Sequence, residues 1–381
     1  MKTDTLDASE NPLGLGERFR MLNWGFVAVV AAIGGTGVAL LYSAGGMAWE
    51  PWAGRHLSRF GTIFVLMIAV ALIDVRVWLR IAYWAYAAML VLLVVVEVMG
   101  HVGMGAQRWI SVGGLVVQPS ELMKIALVLA LARYFHALTY EQTGKVLSLV
   151  PPILLVAAPV GLVLMQPNLG TALLLILGSG ALFWVAGVRM WTFAVAGVAG
   201  AGAAVVGWQF LHDYQKRRVY TFLDPETDPL GAGYNIAQSK IALGAGGLLG
   251  KGFGNGSQSQ LSFLPEKHTD FIFVVLAEEF GFAGSMLLFT LYLVLIGYGY
   301  LIGLTARNHF GRLVALGLTT TFFLYFLVNV AMVSGLMPVV GIPLPPVSYG
   351  GTAMLTFLAG CGVLLSISIH RNVRIGRHGT A

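Results

Sequence analysis

Residues 81–99 read IAYWAYAAMLVLLVVVEVM, a run whose one charged side chain is Glu97. A helix of that length rises about 28 Å, close to the roughly 30 Å thickness of a bilayer's hydrocarbon core. Similar apolar runs recur on both sides, at 24–43, 60–76, 120–138, 147–165, 169–187, 190–211, 283–303, 313–333 and 352–370. Ten transmembrane helices in an all-α integral membrane protein are therefore predicted. The short alternating segments of a β-barrel are not visible. Composition agrees, with 57% of the 381 residues hydrophobic and 10% charged, and a mean hydropathy of +0.80. Too few polar side chains exist to clothe a soluble globule.

Lys and Arg near span ends are retained on the cytoplasmic side. Placing both termini there collects Arg76, Arg80, Arg133, Lys145, Arg189, Arg307, Arg312, Arg371, Arg374 and Arg377 inside, and leaves Arg55, Arg59 and Arg108 in short outer loops. This bias accounts for most of the +6 net charge, so no nucleic-acid partner is implied. The apolar run after residue 23 is too long for a signal-peptide core and reads as a retained anchor. Cys361 stands alone, which excludes an intrachain disulfide and a cysteine-based metal site. No internal repeat is evident, so the chain reads as one polytopic domain over 1–381.

One outer segment, 212–270 between spans 7 and 8, is much longer than the others and carries six basic and six acidic residues. Tyr234, Ile236, Leu230 and Phe263 give it apolar material to pack, so a structured extracytoplasmic loop is expected. YNIAQSKIAL suggests a short helix at the membrane surface, with a plain amphipathic anchor and a binding role both open. GLLGKGFGNGSQSQ lacks the spacing and preceding strand of a phosphate-binding P-loop. It reads as a mobile turn, although its backbone N–H groups and Lys251 could still face a pyrophosphate.

Chemistry-bearing residues gather at two further places. In RWISVGGLVVQPSELMK (108–124), Pro119 suits the first turn of a helix, and Glu121 and Lys124 share a face. The helix dipole opposes Lys124, which needs a compensating partner; a structural pair and a substrate contact both remain open. In FLPEKHTDFIF (263–273), Asp270 or Thr269 could cap the following helix. Asp270 could instead accept a proton from a substrate hydroxyl. Glu278 or Glu279 could join Asp270 around a divalent cation, or mark a polar break where a short helix meets the next span. No G-x-S-x-G or H-E-x-x-H occurs, which argues against a hydrolytic triad or a zinc enzyme. The uncharged stretch 329–353, with Pro338, Pro343, Pro345 and Pro346, reads as a rigid outer hairpin. Ser348, Tyr349 and Thr352 are its polar handles, and Gly350-Gly351 would permit close helix contact.

RWISVGGLVVQPSELMK, QPNLGTA, FLDPETDPLGAGYNIAQSKIALGAGGLLGKG, FLPEKHTDFIFVVLAEEFG and GLMPVVGIPLPPVSYGGTA together resemble the bacterial SEDS family (shape, elongation, division, sporulation). The wording VVGIPLP is more similar to the RodA branch than to the division branch, FtsW. Pro346 and Ala245 depart mildly from the family's pattern. The resemblance implies a ten-span peptidoglycan glycosyltransferase of the cytoplasmic (inner) membrane, its active site on the extracytoplasmic face. Such an enzyme polymerises lipid II into glycan strands during elongation and shape maintenance.

In the implied reaction Asp270 is the essential general base on the acceptor 4-hydroxyl, and undecaprenyl pyrophosphate leaves. Arg108, Lys124, Lys240 and Lys251, with Mg2+ or Mn2+ as optional counter-ion, would meet the diphosphate. Glu121, Gln258, His268 and Thr269 complete the expected substrate contacts, and Asp270 with Glu279 is the candidate metal pair. Lipid II, the nascent glycan, the bilayer and a class B penicillin-binding transpeptidase are the implied partners. A lipid II flippase or a non-catalytic scaffold for wall synthesis are the rival readings.

Overall fold

The computed structural model describes residues 14–99, 101–103, 106–112, 115–210, 213–224, 232–260 and 266–377. The loop residues Glu226, Asp228, Leu230 and Phe263 lie outside these. The chain opens with α1 (Leu15–Arg20), α2 (Trp24–Ala44), α3 (Gly54–Ala71) and α4 (Val75–Met99). A small antiparallel sheet follows, β1 (His101–Gly103), β2 (Ala106–Val112) and β3 (Leu115–Val117), paired in chain order. Next come α5 (Pro119–Ala137), the one-turn α6 (Tyr140–Thr143), α7 (Val150–Met165), α8 (Leu169–Val185) and α9 (Met190–Gly207). The long loop contains α10 (Asp213–Leu223), α11 (Ala232–Ala245) and α12 (Ser257–Gln260), before α13 (Ile272–Thr305), α14 (His309–Val333) and α15 (Gly351–Ile369).

Eight helices among the described residues are long and apolar enough to cross a membrane. The other two expected spans coincide with α8, which is shorter, and α5, which carries Glu121, Lys124 and Arg133. The run expected over 60–76 ends sooner, because Asp74 Oδ1 accepts the Arg76 N–H at 2.8 Å and a new helix starts there. The small sheet is a further departure from the expected all-helical order. β1 and β3 have three residues each, and the seven of β2, AQRWISV, do not alternate between apolar and polar.

Burial separates the inner helices from the outer ones. In the apolar windows of α14 and α15, 72% and 83% of positions are buried, against 22% in α4. α15 packs along α3, α13 along α14 and α2, and α14 along α8 and α5. With lipid outside as apolar as any side chain, such packing rests on close approach and satisfied polar groups. Ser366, for example, accepts from Trp78 Nε1 at 3.1 Å and donates to the Ile73 carbonyl at 2.5 Å, tying α15 to the α3–α4 turn.

The uncharged segment after α14 does not form a plain outer hairpin. Leu344, Val347 and Ser348 are buried, and the segment runs among the helices. His56 Nε2 lies 3.0 Å from the Pro346 carbonyl, and Tyr292 donates to that of Pro345 at 2.7 Å. Gly350 and Gly351, expected to permit close contact, have only ordinary van der Waals surroundings. The close approach is at Gly37 on α2, where an added Cβ would lie 2.7 Å from the Val347 Cα and 2.8 Å from its carbonyl oxygen. Backbone cannot swing aside as a side chain can, so Gly37→Ala is expected to cost about 1–3 kcal/mol. A fall in the thermal denaturation midpoint of purified protein measures it; an unchanged midpoint refutes the contact.

The Gly-rich piece GLLGKGFGNGSQSQ forms turns, as expected, and these are anchored to a neighbouring helix. α13 breaks at Gly281 (φ 64°), as expected of the polar GluGluPheGly stretch, and the loop is stitched to that break. Lys251 and Gly252 N–H donate to the carbonyls of Glu278 and Glu279 at 3.0 and 2.9 Å. Phe282 and Ala283 N–H return bonds to Gly247 and Leu248 at 2.9 and 3.0 Å. These two loop N–H groups are therefore committed to α13 and do not offer a pyrophosphate cradle.

Candidate active site

Asp270 is the penultimate residue of a tight turn leading into α13. The turn closes on Glu266, whose carbonyl accepts from Thr269 N at 3.1 Å and Phe271 N at 3.3 Å. Thr269 Oγ1 donates to Glu266 Oε2 at 2.9 Å, so its hydroxyl holds the turn together. The residue at the cap position is Phe271, with no side-chain cap bond. Thr269, whose hydroxyl is spent on Glu266, does not take the capping role. The first turn of α13 is instead satisfied locally, with Val274 N donating to the Phe271 carbonyl at 2.9 Å.

What holds Asp270 is α14. Asn329, fully buried, donates through Nδ2 to the Asp270 carbonyl at 2.9 Å and to the Ile342 carbonyl at 2.7 Å. One amide nitrogen thus clamps the catalytic candidate and the irregular segment together. Gly341 closes the floor beneath the half-buried Asp270: at φ +73°, an added Cβ would stand 3.3 Å from Asp270 Oδ2. Only glycine adopts that backbone readily. Gly341→Ala is expected to strain the turn by about 1 kcal/mol and to crowd the carboxylate, lowering turnover more than stability. Comparing the activity loss with the shift in denaturation midpoint tests this.

An aromatic wall stands beside it. His268 stacks on Trp52 with centroids 4.7 Å apart and accepts the Tyr349 N–H on its carbonyl at 2.9 Å. The Arg59 guanidinium lies 5.1 Å over the Tyr349 ring. Burial holds the His268 imidazole below the ordinary histidine range, Glu266 opposing and Lys267 reinforcing it. A depressed pKa favours the neutral form in the fold, so this contribution is complete above the unfolded value near 6.5 and is lost as pH falls through the native one. The denaturation midpoint should accordingly drop on acidification from pH 7.5 to 5.5, and drop less in His268→Phe. Equal slopes in both proteins would remove His268 from the account.

The remaining expected cations separate. Lys240 is exposed on α11, which docks to the end of α14 through Ser239 Oγ and the Val333 carbonyl at 3.0 Å. Its Nζ lies 2.9 Å from where a Cβ on Gly335 would be, just past α14. Arg108 is turned to the carbonyls of Gln166, at 3.1 Å, and Pro167, where it fixes the α7–α8 turn. Lys251 pairs with Glu278 at 2.8 Å, and the same oxygen accepts from the Gln258 N–H at 3.0 Å. Lys251 and Gln258 therefore form a separate knot at the α13 break, because a buried carboxylate there needs them more than solvent does.

Glu121 and Lys124 meet as an ion pair, with Tyr325 completing a buried triangle by donating to Glu121 and receiving from Lys124. All three are at most 5% exposed, so Lys124's compensation is internal and neither partner presents itself to a substrate. Tyr325 is one helical turn from Asn329, which places the triangle directly behind the clamp.

The Asp270–Glu279 metal pair does not fit a shared ion. Asp270 precedes the start of α13 at Ile272, Glu279 lies about 10 Å further along that helix, and Glu279 is engaged by the Ser43 hydroxyl. No group of three His, Cys, Asp or Glu among the described residues could hold a metal. Sequence reasoning missed Arg59, Trp52, Asn329 and Tyr325. Only the outer-loop position of Arg59 carried any signal.

The family model described as "Cell cycle protein", FtsW/RodA/SpoVE, matches residues 23–373. The peptidoglycan glycosyltransferase MrdB of Escherichia coli K12 is 46% identical over 325 residues, 84% of this chain and 86% of MrdB. A solved chain from a study of polymerisation and crosslinking by a peptidoglycan synthase complex superposes with TM-score 0.79 at 32% identity, covering 92% of this chain and 98% of its own. The crystal structure of the Thermus thermophilus rod shape determining protein RodA gives 0.70 at 30%, covering 92% and 98%. A match that spans nearly every helix, at these identities, places the chain in the FtsW/RodA/SpoVE family.

Proposed function

We propose that this protein is a peptidoglycan glycosyltransferase of the bacterial inner membrane, polymerising lipid II on the extracytoplasmic face with Asp270 as general base. The observation that carries the reading is the placement of Asp270. Its backbone is fixed by Asn329 on α14, and its half-buried carboxylate stands over Gly341. Its relatives' names point to the same chemistry. In the reaction the acceptor 4-hydroxyl attacks the anomeric carbon of the lipid-linked glycan, its proton passes to the Asp270 carboxylate, and undecaprenyl diphosphate departs. Lys240 and Arg59, both exposed near this end, are the residues best placed to meet the leaving diphosphate. Arg108, Glu121 and Lys124 support the site from behind rather than contacting substrate.

A class B penicillin-binding transpeptidase is the proposed partner, crosslinking the strands this protein makes. Incubating the purified protein, alone and with such a partner, with labelled lipid II tests the reading. Glycan polymer is the expected product, and its absence in both conditions would overturn the assignment. Lipid II transfer between leaflets without polymer would favour a flippase, and neither activity a scaffold.

A further inference from the structure

Asp270 lies beside one end of α14, and a second feature lies at the other. A cavity of about 670 Å3 opens between the end of α5, the α13–α14 turn and the tail after α15. Arg307, Arg312, Arg374 and Arg377 line it with His136 and His309, and no carboxylate among the described residues does. None of these four arginines forms an ion pair among the described residues. The tail is fixed in place: Arg307 N donates to the Arg371 carbonyl at 2.9 Å, and His136 Nε2 meets that of Gly376 at 3.1 Å.

The cavity wall also holds a buried donor without a partner among the described residues, Asn308 Nδ2, in a side chain 3% exposed. Asn308 Oδ1 caps α14 by accepting the Gly311 N–H at 2.6 Å, which leaves its amide N–H groups unused. A buried donor left unmade is costly, and an anionic oxygen would satisfy it. The positive end of a 25-residue helix adds to the attraction. The tendency of basic residues to remain cytoplasmic accounts for the sign of the charge. It does not account for four guanidiniums around one cavity, none in an ion pair among the described residues, with an orphaned amide in its wall.

We propose that this cavity is an anion site for a phosphate group, carried by the headgroup of an anionic phospholipid or by free phosphate. Leu138 and Ile375, partly buried in the lining, offer an apolar surface against which an acyl chain can lie. Basic pockets between spanning helices suit such headgroups.

The test uses the full-length protein in phosphatidylcholine nanodiscs doped with phosphatidylglycerol, with retained lipid counted by native mass spectrometry. A parallel arm measures binding of labelled inorganic phosphate by equilibrium dialysis. The variant Arg374→Gln/Arg377→Gln alters two exposed tail residues, and an unchanged denaturation midpoint verifies its fold. Binding roughly 30-fold weaker in this variant is expected. Such a loss in the lipid arm identifies a headgroup as the occupant, and in the phosphate arm a soluble ion. Binding by neither probe, or equal binding by wild type and variant, overturns the proposal.

Discussion

Asp270→Asn is expected to lower glycan polymerisation by about 10²- to 10⁴-fold, the span typical of a lost general base. The substitution is nearly isosteric, and the bond that positions this residue runs from Asn329 to its backbone carbonyl, which asparagine retains. The loss should therefore fall on turnover, while lipid II still binds and the denaturation midpoint holds. An amide cannot take up a proton at neutral pH, so raising the pH should restore little. If Asp270→Asn polymerises within a few-fold of wild type, the carboxylate is not the base and the mechanism fails, whatever the family relationship.

The largest effect on stability is expected from Lys124→Met. Removing one member of a buried ion pair strands the other, a loss of about 3–5 kcal/mol. Here Glu121 would keep only the Tyr325 hydroxyl among the described residues, inside a helix most of whose positions are buried. The double variant Glu121→Gln/Lys124→Met removes both charges and should recover most of the loss. Midpoints of the single and double variants, read in the same detergent, distinguish a stranded charge from lost packing. A double variant as unstable as the single would refute the account. Because Tyr325 stands one turn from Asn329, the single variant should also lose activity, even at temperatures where it remains folded.

The helices were legible because lipid imposes a length on them, and nineteen residues with a single charge among them, as at 81–99, have few other uses. Pro119 at the start of α5 and the break at GluGluPheGly were equally readable, since both follow from local backbone chemistry. The partners of the charged residues were not. Lys251 and Glu278 are 27 residues apart, and Tyr325 lies 201 residues from Lys124, so each pairing is decided by how helices pack. Arg59 reaches Tyr349 because α3 lies along α15, which no window of sequence reveals. The clamp at Asn329 was hidden for the same reason: an asparagine in an apolar run gives no sign of which carbonyls it serves.

That clamp has a pharmacological consequence. A single nitrogen serves both the Asp270 loop and the Ile342 carbonyl, so a small molecule wedged beneath the segment after α14 would pull one acceptor away and leave the base misaligned. Such a compound would silence the enzyme without competing for its substrate, and accumulated lipid II could not displace it.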